Sequence, residues 1–357
     1  MITDPGSLAE LASELRRLPA FGLDTEFLRE RTYYAQLCLL QFGLPERQLC
    51  VDTLAVSDLS PLRAALNDRR CCKVLHAARQ DLEVLWPAAG SVTGLFDTQV
   101  AAALIGLPAQ VGYAELVRQL LGVTLSKGQT RTDWSRRPLS TAQLDYARDD
   151  VRYLLPLREA LSARLTTLGR SSWFAEEMAE LDAVGSFTVE PEQAWLRLRG
   201  LADLDPHRQR LAQALAAWRE RRAVRADRPR SWVLPDAALR ELVSKAPRDP
   251  VGLDHINELP DGIRRNSGGE LLDVIEAAGL PQRLPDLPPR RRPDPERVEA
   301  VRRLSELTQR AARALAIAPE ILATRREMEQ LAAGARDGAP LTGWRREVIG
   351  EQLLGAL

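Results

Sequence analysis

Lysine is nearly missing from this chain. Only Lys73, Lys127 and Lys245 occur among 357 residues, so almost all of the 49 positive charges are arginine. A GC-rich genome produces that bias, because lysine codons are AT-rich, so arginine abundance is a weak argument for phosphate binding. The 49 acidic residues bring the net charge to zero, which argues neither for nor against a polyanionic partner. The four cysteines, Cys38, Cys50, Cys71 and Cys72, fall in the first fifth of the chain without a CxxC or zinc-finger spacing; they read as buried, reduced thiols of a cytoplasmic protein. No apolar run approaches the ~20 residues that span a bilayer, and Met1–Arg17 has no signal-peptide pattern. A membrane partner is therefore not expected. Nor is there a Gly-x-x-x-x-Gly-Lys-Ser/Thr loop, which argues against a helicase.

What is present is ample for burial. Hydrophobic residues make up 45% of the chain, and its length suggests two or three domains. Gly22-Leu23-Asp24-Thr25-Glu26-Phe27 is the first chemically informative stretch. In a β-strand, Asp24 and Glu26 share one face, about 7 Å apart, while Thr25 and Phe27 point the other way. Two anions on one face repel unless a cation lies between them, and a hard divalent ion suits carboxylate oxygens. The plainer reading is an edge strand with two solvated acids.

Around this stretch the pattern is α/β. Leu8, Leu11, Leu15 and Leu18 recur at helical spacing before Pro19. Phe21–Phe27, Tyr33–Phe42 and Gln48–Asp52 read as strands in an antiparallel meander. Lys73–His76 reads as a short buried strand, followed by a helix over Ala78–Trp86 that carries Asp81 in its first turns. That acid is equally a favourable charge at a helix N-terminus. Asp97 caps a helix over Thr98–Ile105. Another helix runs from Tyr113 to Leu121, and Thr124–Arg137 is a polar loop. A single long helix is expected from Ser140 to about Leu168. Ser140 and Gln143 form its capping box, and Leu144, Ala147, Val151, Leu154 and Leu155 its buried face. Asp150 lies at the margin of that face and Asp149 points away. Tyr146 precedes Asp150 by one turn, on the same side. Surface acids on an ordinary amphipathic helix are the alternative.

After about Glu190 no strand pattern remains. Short helical patterns end near Pro281, and Pro281–Pro295 holds six prolines and four arginines, a stiff linker. A last helical unit follows. Residues 190–357 carry 29 basic and 26 acidic residues, about +3, leaving about −3 in 1–189.

In their order, Asp24-x-Glu26, Asp81 and Tyr146-x-x-x-Asp150 resemble the three motifs of the DEDD exonucleases, in the subgroup whose third motif is Tyr-x-x-x-Asp. Arg31-Thr32-Tyr33-Tyr34, Leu75-His76-Ala77, Asp97-Thr98-Gln99, Arg131-Thr132-Asp133-Trp134 and Tyr153-Leu154-Leu155-Pro156 extend the similarity to the ribonuclease D family over most of residues 20–160. Leu211–Ala217 with Trp218-Arg219, and Leu234-Pro235-Asp236 with Leu239, resemble an HRDC domain.

The resemblance implies an α/β catalytic domain, a ribonuclease H-like mixed sheet flanked by helices, followed by two small all-α HRDC-type bundles. The expected boundaries are 1–189 for the exonuclease domain and 190–282 for the HRDC domain. A Pro/Arg-rich linker over 283–294 and a second, divergent HRDC-like domain over 295–357 complete the chain. It implies a 3′→5′ exoribonuclease releasing 5′-mononucleotides from RNA, in particular precursor tRNA 3′ ends, and a monomer without a protein partner. It also implies two divalent metal ions, Mg²⁺ or Mn²⁺: Asp24 bridging them, Glu26 and Asp150 completing the site that holds the attacking water, Asp81 supporting the second ion, and Tyr146 orienting the water. With an ordinary pKa near 10, Tyr146 is a poor base at pH 7.

Candidates for holding a strand end are backbone atoms near Thr25 and Glu26, His76, and the rings of Phe27, Tyr33 and Trp134. Lys127, Arg131 and Arg136 could meet phosphates, as could the stretch from Trp218, Arg219 and Arg222 to Arg230. Each has a structural reading as well: a packed ring, a satisfied histidine, a solvated basic face. The alternative functions are a 3′→5′ DNA exonuclease and a catalytically silent nucleic-acid-binding scaffold.

Overall fold

The nine residues Ala20–Leu28 form β1, the centre of a five-stranded sheet. In the computed structural model all residues are described except 126–131, 184–186, 188, 199, 202–203 and 280–294. The linker expected at 283–294, and the candidates Lys127 and Arg131, thus lie outside the described residues.

Helix α1, Pro5–Leu15, starts where the Asp4 carboxylate accepts the Ser7 N–H at 2.9 Å, and buries Leu8, Leu11, Ala12 and Leu15. Strands β2 (Gln36–Gly43) and β3 (Gln48–Asp52) pair antiparallel. A short α2, Arg63–Leu66, precedes β4, Cys72–Leu75. Helix α3, Arg79–Ala89, is followed by β5, Leu95–Asp97. The strand order is β3-β2-β1-β4-β5, with β4 parallel to both β1 and β5. The sheet is therefore mixed, as expected. Strand β5 was not expected: its three residues carry no alternation to read, and their pairing with Lys73–Leu75 defines it.

Register places the site. Ala20, Phe21 and Gly22 pair with Cys72, Lys73 and Val74, and β4 ends one residue later. Residues 24–28 of β1 therefore run past the carboxyl end of the neighbouring parallel strand, where open α/β sheets leave a crevice.

Four helices complete this part: α4 (Thr98–Leu104), α5 (Tyr113–Leu121), α6 (Thr141–Arg152) and α7 (Leu154–Thr167). The single helix expected from Ser140 to Leu168 is thus two helices, broken at Tyr153. Helix α8, Ser171–Asp182, follows.

Contacts divide the chain into two compact units, and not in chain order. Arg29–Gln36 group with the described residues of Thr188–Arg292; the rest, including residues beyond 294, form the other unit. The smaller unit contains α9 (Pro206–Ala226), α10 (Arg230–Val233), α11 (Asp236–Lys245), α12 (Pro250–Asp254) and α13 (Asp261–Ala278). Its core includes Trp195, Leu215, Leu239, Leu242, Ile256 and Leu271, with Tyr33 packed against it.

The last helices, α14 (Pro295–Leu315), α15 (Pro319–Leu322), α16 (Arg325–Ala332), α17 (Gly343–Arg345) and α18 (Glu351–Gly355), belong by contact to the sheet-containing unit. This departs from the separate unit expected from residue 295, and side chains explain it. Trp344 is buried and stacks on Trp173 of α8, with centroids 4.5 Å apart and planes 13° from parallel. Its indole N–H donates to Glu177 at 2.7 Å, and its backbone N–H to Glu176 at 2.8 Å. The Arg170 guanidinium donates to the Leu104 and Leu315 carbonyls, the last residues of α4 and α14, closing two helix C-termini with one cation. Gly106 lets the backbone pass: a Cβ there would lie 2.4 Å from the Ala316 carbonyl oxygen.

Candidate active site

Asp24, Glu26 and Asp150 converge at the overhanging end of β1. One carboxylate oxygen from each lies within 4.8 Å of those of the other two. Strand alternation puts the first two on one face, and α6 brings the third. The capping box that starts α6 is present: the Gln143 N–H donates to Ser140 Oγ at 3.3 Å, and the Ser140 N–H to Gln143 Oε1 at 3.0 Å. Ala147 and Val151 turn inward against the sheet, which sets the angle at which Asp150 meets it. Two glycines allow that approach. A Cβ on Gly43 would stand 2.3 Å from the Val151 carbonyl oxygen, and one on Gly22 would stand 3.2 Å from it.

Asp81 stands outside this trio. It is buried on the first turn of α3 and accepts the Thr25 hydroxyl at 2.5 Å. Thr25 was expected to turn away from Asp24 and Glu26; its hydroxyl holds the fourth acid, and the residue lines the same cleft. The turn before α3 is held in place as well. Ala77 sits at φ +58, a left-handed conformation that costs a non-glycine residue energy. The Asp97 carboxylate accepts the Ala77 and Ala78 N–H groups at 3.0 and 2.8 Å while capping α4.

The electrostatics are one-sided. Burial, and then repulsion from Asp150 and Asp81, lifts Glu26 to about 8. Burial, with Asp149 and Asp81 adding to it, lifts Asp150 to about 7. Asp81 also reaches about 7, through burial and then Asp97, against the Thr25 bond. Asp24 is pushed well above its usual value by burial and then by the other three acids. Tyr146 hydrogen-bonds Asp150, and burial followed by the surrounding carboxylates raises its phenol. It stays protonated at neutral pH. These groups line a cleft of about 270 Å³ together with Phe27, His76 and Tyr113, and none of its described lining residues is lysine or arginine.

The other sequence candidates separate clearly. Phe27 lines the cleft although alternation turned it away from Asp24. His76 lines it too, but both ring nitrogens are engaged within the protein: Nδ1 lies 2.8 Å from Thr98 Oγ1 and Nε2 lies 3.0 Å from the Val111 carbonyl. Trp134 is not a stacking platform. It is 3% exposed, in a core with Cys38, Leu39, Cys50, Leu139 and Ala147, against Tyr146. Arg136 is exposed beside Asp133.

In the helical unit, Arg219 is buried and pairs with Asp236 at 2.6 Å and the Leu234 carbonyl at 3.0 Å, so it is a structural cation and not a phosphate contact. Trp218 donates its indole N–H to Glu270 at 3.0 Å, and Arg222 pairs with the same carboxylate at 2.8 Å. Tyr33 donates its hydroxyl to Glu220, and the Tyr33 and Tyr34 N–H groups donate to Asp227 at 3.0 and 3.2 Å. Its ring is thus committed to this unit.

Two residues with evident influence on the site carry no sequence signal. Thr25 was placed near the nucleotide through its backbone, not as a partner of Asp81. Tyr113 was only the start of a helix, yet its hydroxyl touches the break between α6 and α7.

Comparison with known proteins agrees with this geometry. The family profile described as "3'-5' exonuclease" matches residues 1–166, and the HRDC domain profile matches residues 208–275. A protein named Ribonuclease D from Granulibacter bethesdensis is 40% identical over 364 residues, covering 99% of this chain and 91% of its own. One from Pseudomonas paraeruginosa is 38% identical, covering 100% and 96%. The crystal structure of Escherichia coli RNase D, described as an exoribonuclease involved in structured RNA processing, superposes with a TM-score of 0.90 at 34% identity. It covers 100% of this chain and 98% of its own. With fold, motif order and length in agreement, the chain belongs to the ribonuclease D family of 3′→5′ exoribonucleases.

Proposed function

We propose that the cleft hydrolyses the terminal phosphodiester of RNA from its 3′ end, releasing 5′-mononucleotides, with Asp24, Glu26, Asp81 and Asp150 as ligands to two divalent cations. The observation that carries this is the uncompensated acid trio, one oxygen from each falling within 4.8 Å of those of the other two. Like charges so close raise one another's pKa values, and the cleft offers no arginine or lysine to relieve them among its described lining residues. All-oxygen donors suit Mg²⁺ or Mn²⁺. When bound, such ions lower the pKa of a water and stabilise the leaving oxygen.

The protein's own groups do the rest. Asp24, Glu26 and Asp150 supply the negative charge, on a strand and a helix that fix their spacing. Thr25 keeps Asp81 turned into the cleft. Tyr146, protonated and bonded to Asp150, offers its hydroxyl as a hydrogen-bond partner to the attacking water and is not the base. Hydrolysis adds the water oxygen to phosphorus, breaks the bond to the preceding nucleotide's O3′, and leaves that oxygen protonated. The description of Escherichia coli RNase D as involved in structured RNA processing supports structured RNA as the substrate, and precursor tRNA 3′ ends are the physiological case proposed. The helical unit, whose residues 208–275 match the HRDC profile, adds affinity for RNA.

The test is digestion of 3′-extended tRNA, single-stranded RNA and DNA of equal length, each end-labelled, with Mg²⁺, Mn²⁺ or chelator. Stepwise 3′ shortening of RNA, release of 5′-mononucleotides and loss of cleavage with chelator are expected. Preference for DNA, or cleavage in chelator, refutes the proposal.

A further inference from the structure

Two features meet where α6 ends: Pro156, in the first turn of α7, has no N–H to offer the Arg152 carbonyl and crowds it, and a side chain from α5 enters the ladder. In a continuous helix the Tyr153 N–H would donate to the Asp149 carbonyl four residues earlier. Here the Tyr113 hydroxyl stands between them: it donates to the Asp149 carbonyl at 2.9 Å and accepts the Tyr153 N–H at 3.1 Å. A side chain inserted into the helical ladder is a recognised cause of a sharp break, and α7 begins one residue after the inserted bond. The two groups bridged by the hydroxyl flank Asp150.

Tyr113 is itself held. It opens α5 after Gly112, and its ring meets the His76 ring edge-on at a centroid distance of 5.7 Å. His76 is fixed in turn by Thr98 and the Val111 carbonyl. Across α6, Gly22 and Gly43 leave room for the Val151 carbonyl against the sheet. The joint is therefore clamped on both sides: the hydroxyl on one, two side-chain-free positions on the other.

We propose that Tyr113 is a positioning residue for the metal-binding acids: by bridging the joint after Asp150, its hydroxyl fixes the orientation that brings the Asp150 carboxylate to Asp24 and Glu26. This rests on the metal reading given above. It also gives His76 a role without RNA contact, as the support behind Tyr113. Without the hydroxyl, the Tyr153 N–H and Asp149 carbonyl are free to bond each other. Pro156 still keeps the helix from running straight, but the joint loses the bond that fixes its angle, and Asp150 is no longer held in register with β1.

Tyr113→Phe removes one oxygen atom and keeps the ring. Mn²⁺ binding to the metal-free full-length protein is measured by isothermal titration for wild type, Tyr113→Phe and Asp24→Asn, with thermal unfolding and steady-state kinetics on a short RNA alongside. The expected result for Tyr113→Phe is at least a tenfold loss of Mn²⁺ affinity, a matching fall in kcat at fixed Mn²⁺, and a KM within about twofold. Its thermal transition stays sharp and within a few degrees of wild type. Amide exchange at Tyr153 changes as its N–H loses the hydroxyl acceptor. Wild-type Mn²⁺ affinity in Tyr113→Phe overturns the positioning role. So does a loss that accompanies collapse of the thermal transition, which would make Tyr113 a general stabiliser. If wild type binds no Mn²⁺, or binds it no better than Asp24→Asn, it is the metal reading that fails.

Discussion

Two clusters of buried charge behave in opposite ways. In the helical unit, Glu220 is fully buried, yet Arg230 pairs with it at 2.6 Å through two nitrogens and Tyr33 donates to it. Burial alone would raise its pKa; the Arg230 and Tyr33 bonds outweigh that and hold it below the usual range. In the sheet-containing unit, Asp24, Glu26 and Asp150 are crowded together and their pKa values climb. The first cluster is neutralised from within the chain and is architecture. The second leaves its charge for something that arrives from solution. Where a fold spends arginine on an acid and where it withholds it separates support from chemistry here.

The strongest way to break this contrast is Asp24→Asn. Removing one charge from the uncompensated set should lower exonuclease activity by about 10³-fold or more, roughly 4 kcal/mol of barrier, while the melting temperature stays level or rises because repulsion is relieved. Retained activity with a lower melting temperature would make the acids architectural. Glu220→Ala should do the reverse. It strands Arg230 and the Tyr33 hydroxyl, and should cost about 2–4 kcal/mol by chemical denaturation, below the usual 3–5 because Arg230 is partly exposed. An unchanged denaturation midpoint would show that the cluster is not structural.

A third test uses pH. Unfolded carboxyls titrate near 4, whereas Asp81 and Asp150 titrate near 7 and Glu26 near 8 in the folded protein. Between those values the folded state binds more protons than the unfolded state, so stability falls as pH rises. The metal-free protein should lose melting temperature steadily from about pH 5 to pH 8, and saturating Mn²⁺ should flatten the slope. A rising slope over that window contradicts the raised pKa values. The smallest effect is expected at Arg302, which pairs with Glu299 and Glu306 on the exposed face of α14. Arg302→Ala should leave the melting temperature unmoved, since exposed pairs contribute little.

The sequence made the acids legible because their geometry is local. Period two aligns Asp24 with Glu26, and one helical turn aligns Tyr146 with Asp150; neither needs a tertiary contact to be read. The Ser140–Gln143 box was legible for the same reason. What escaped depends on partners far along the chain. Thr25 meets Asp81 across 56 positions, and Tyr113 meets Asp149 and Tyr153 across 36 and 40. The helix break at 153 had a local signal that was passed over, Pro156, which fits only the first turn of a helix; the Tyr113 bridge across it was invisible. Arg219 and Trp134 were misread for a related reason: an arginine or a tryptophan looks available for RNA until its neighbours are known. The Tyr33 segment and the last helices likewise joined units that chain order did not indicate.

Arg170 has a consequence for how the protein is made. One of its two carbonyl partners, Leu104, precedes it; the other, Leu315, is 145 residues downstream. Synthesis runs at about 5–20 residues per second, so on the order of ten seconds pass before that second partner exists, and longer before Trp344 reaches Trp173. During that interval the sheet and its acids are already synthesised, while Arg170 has half of its bonds and Trp173 has no indole to stack on. The nuclease body is thus born with an open flank on α8, closed only when residues made well after it arrive.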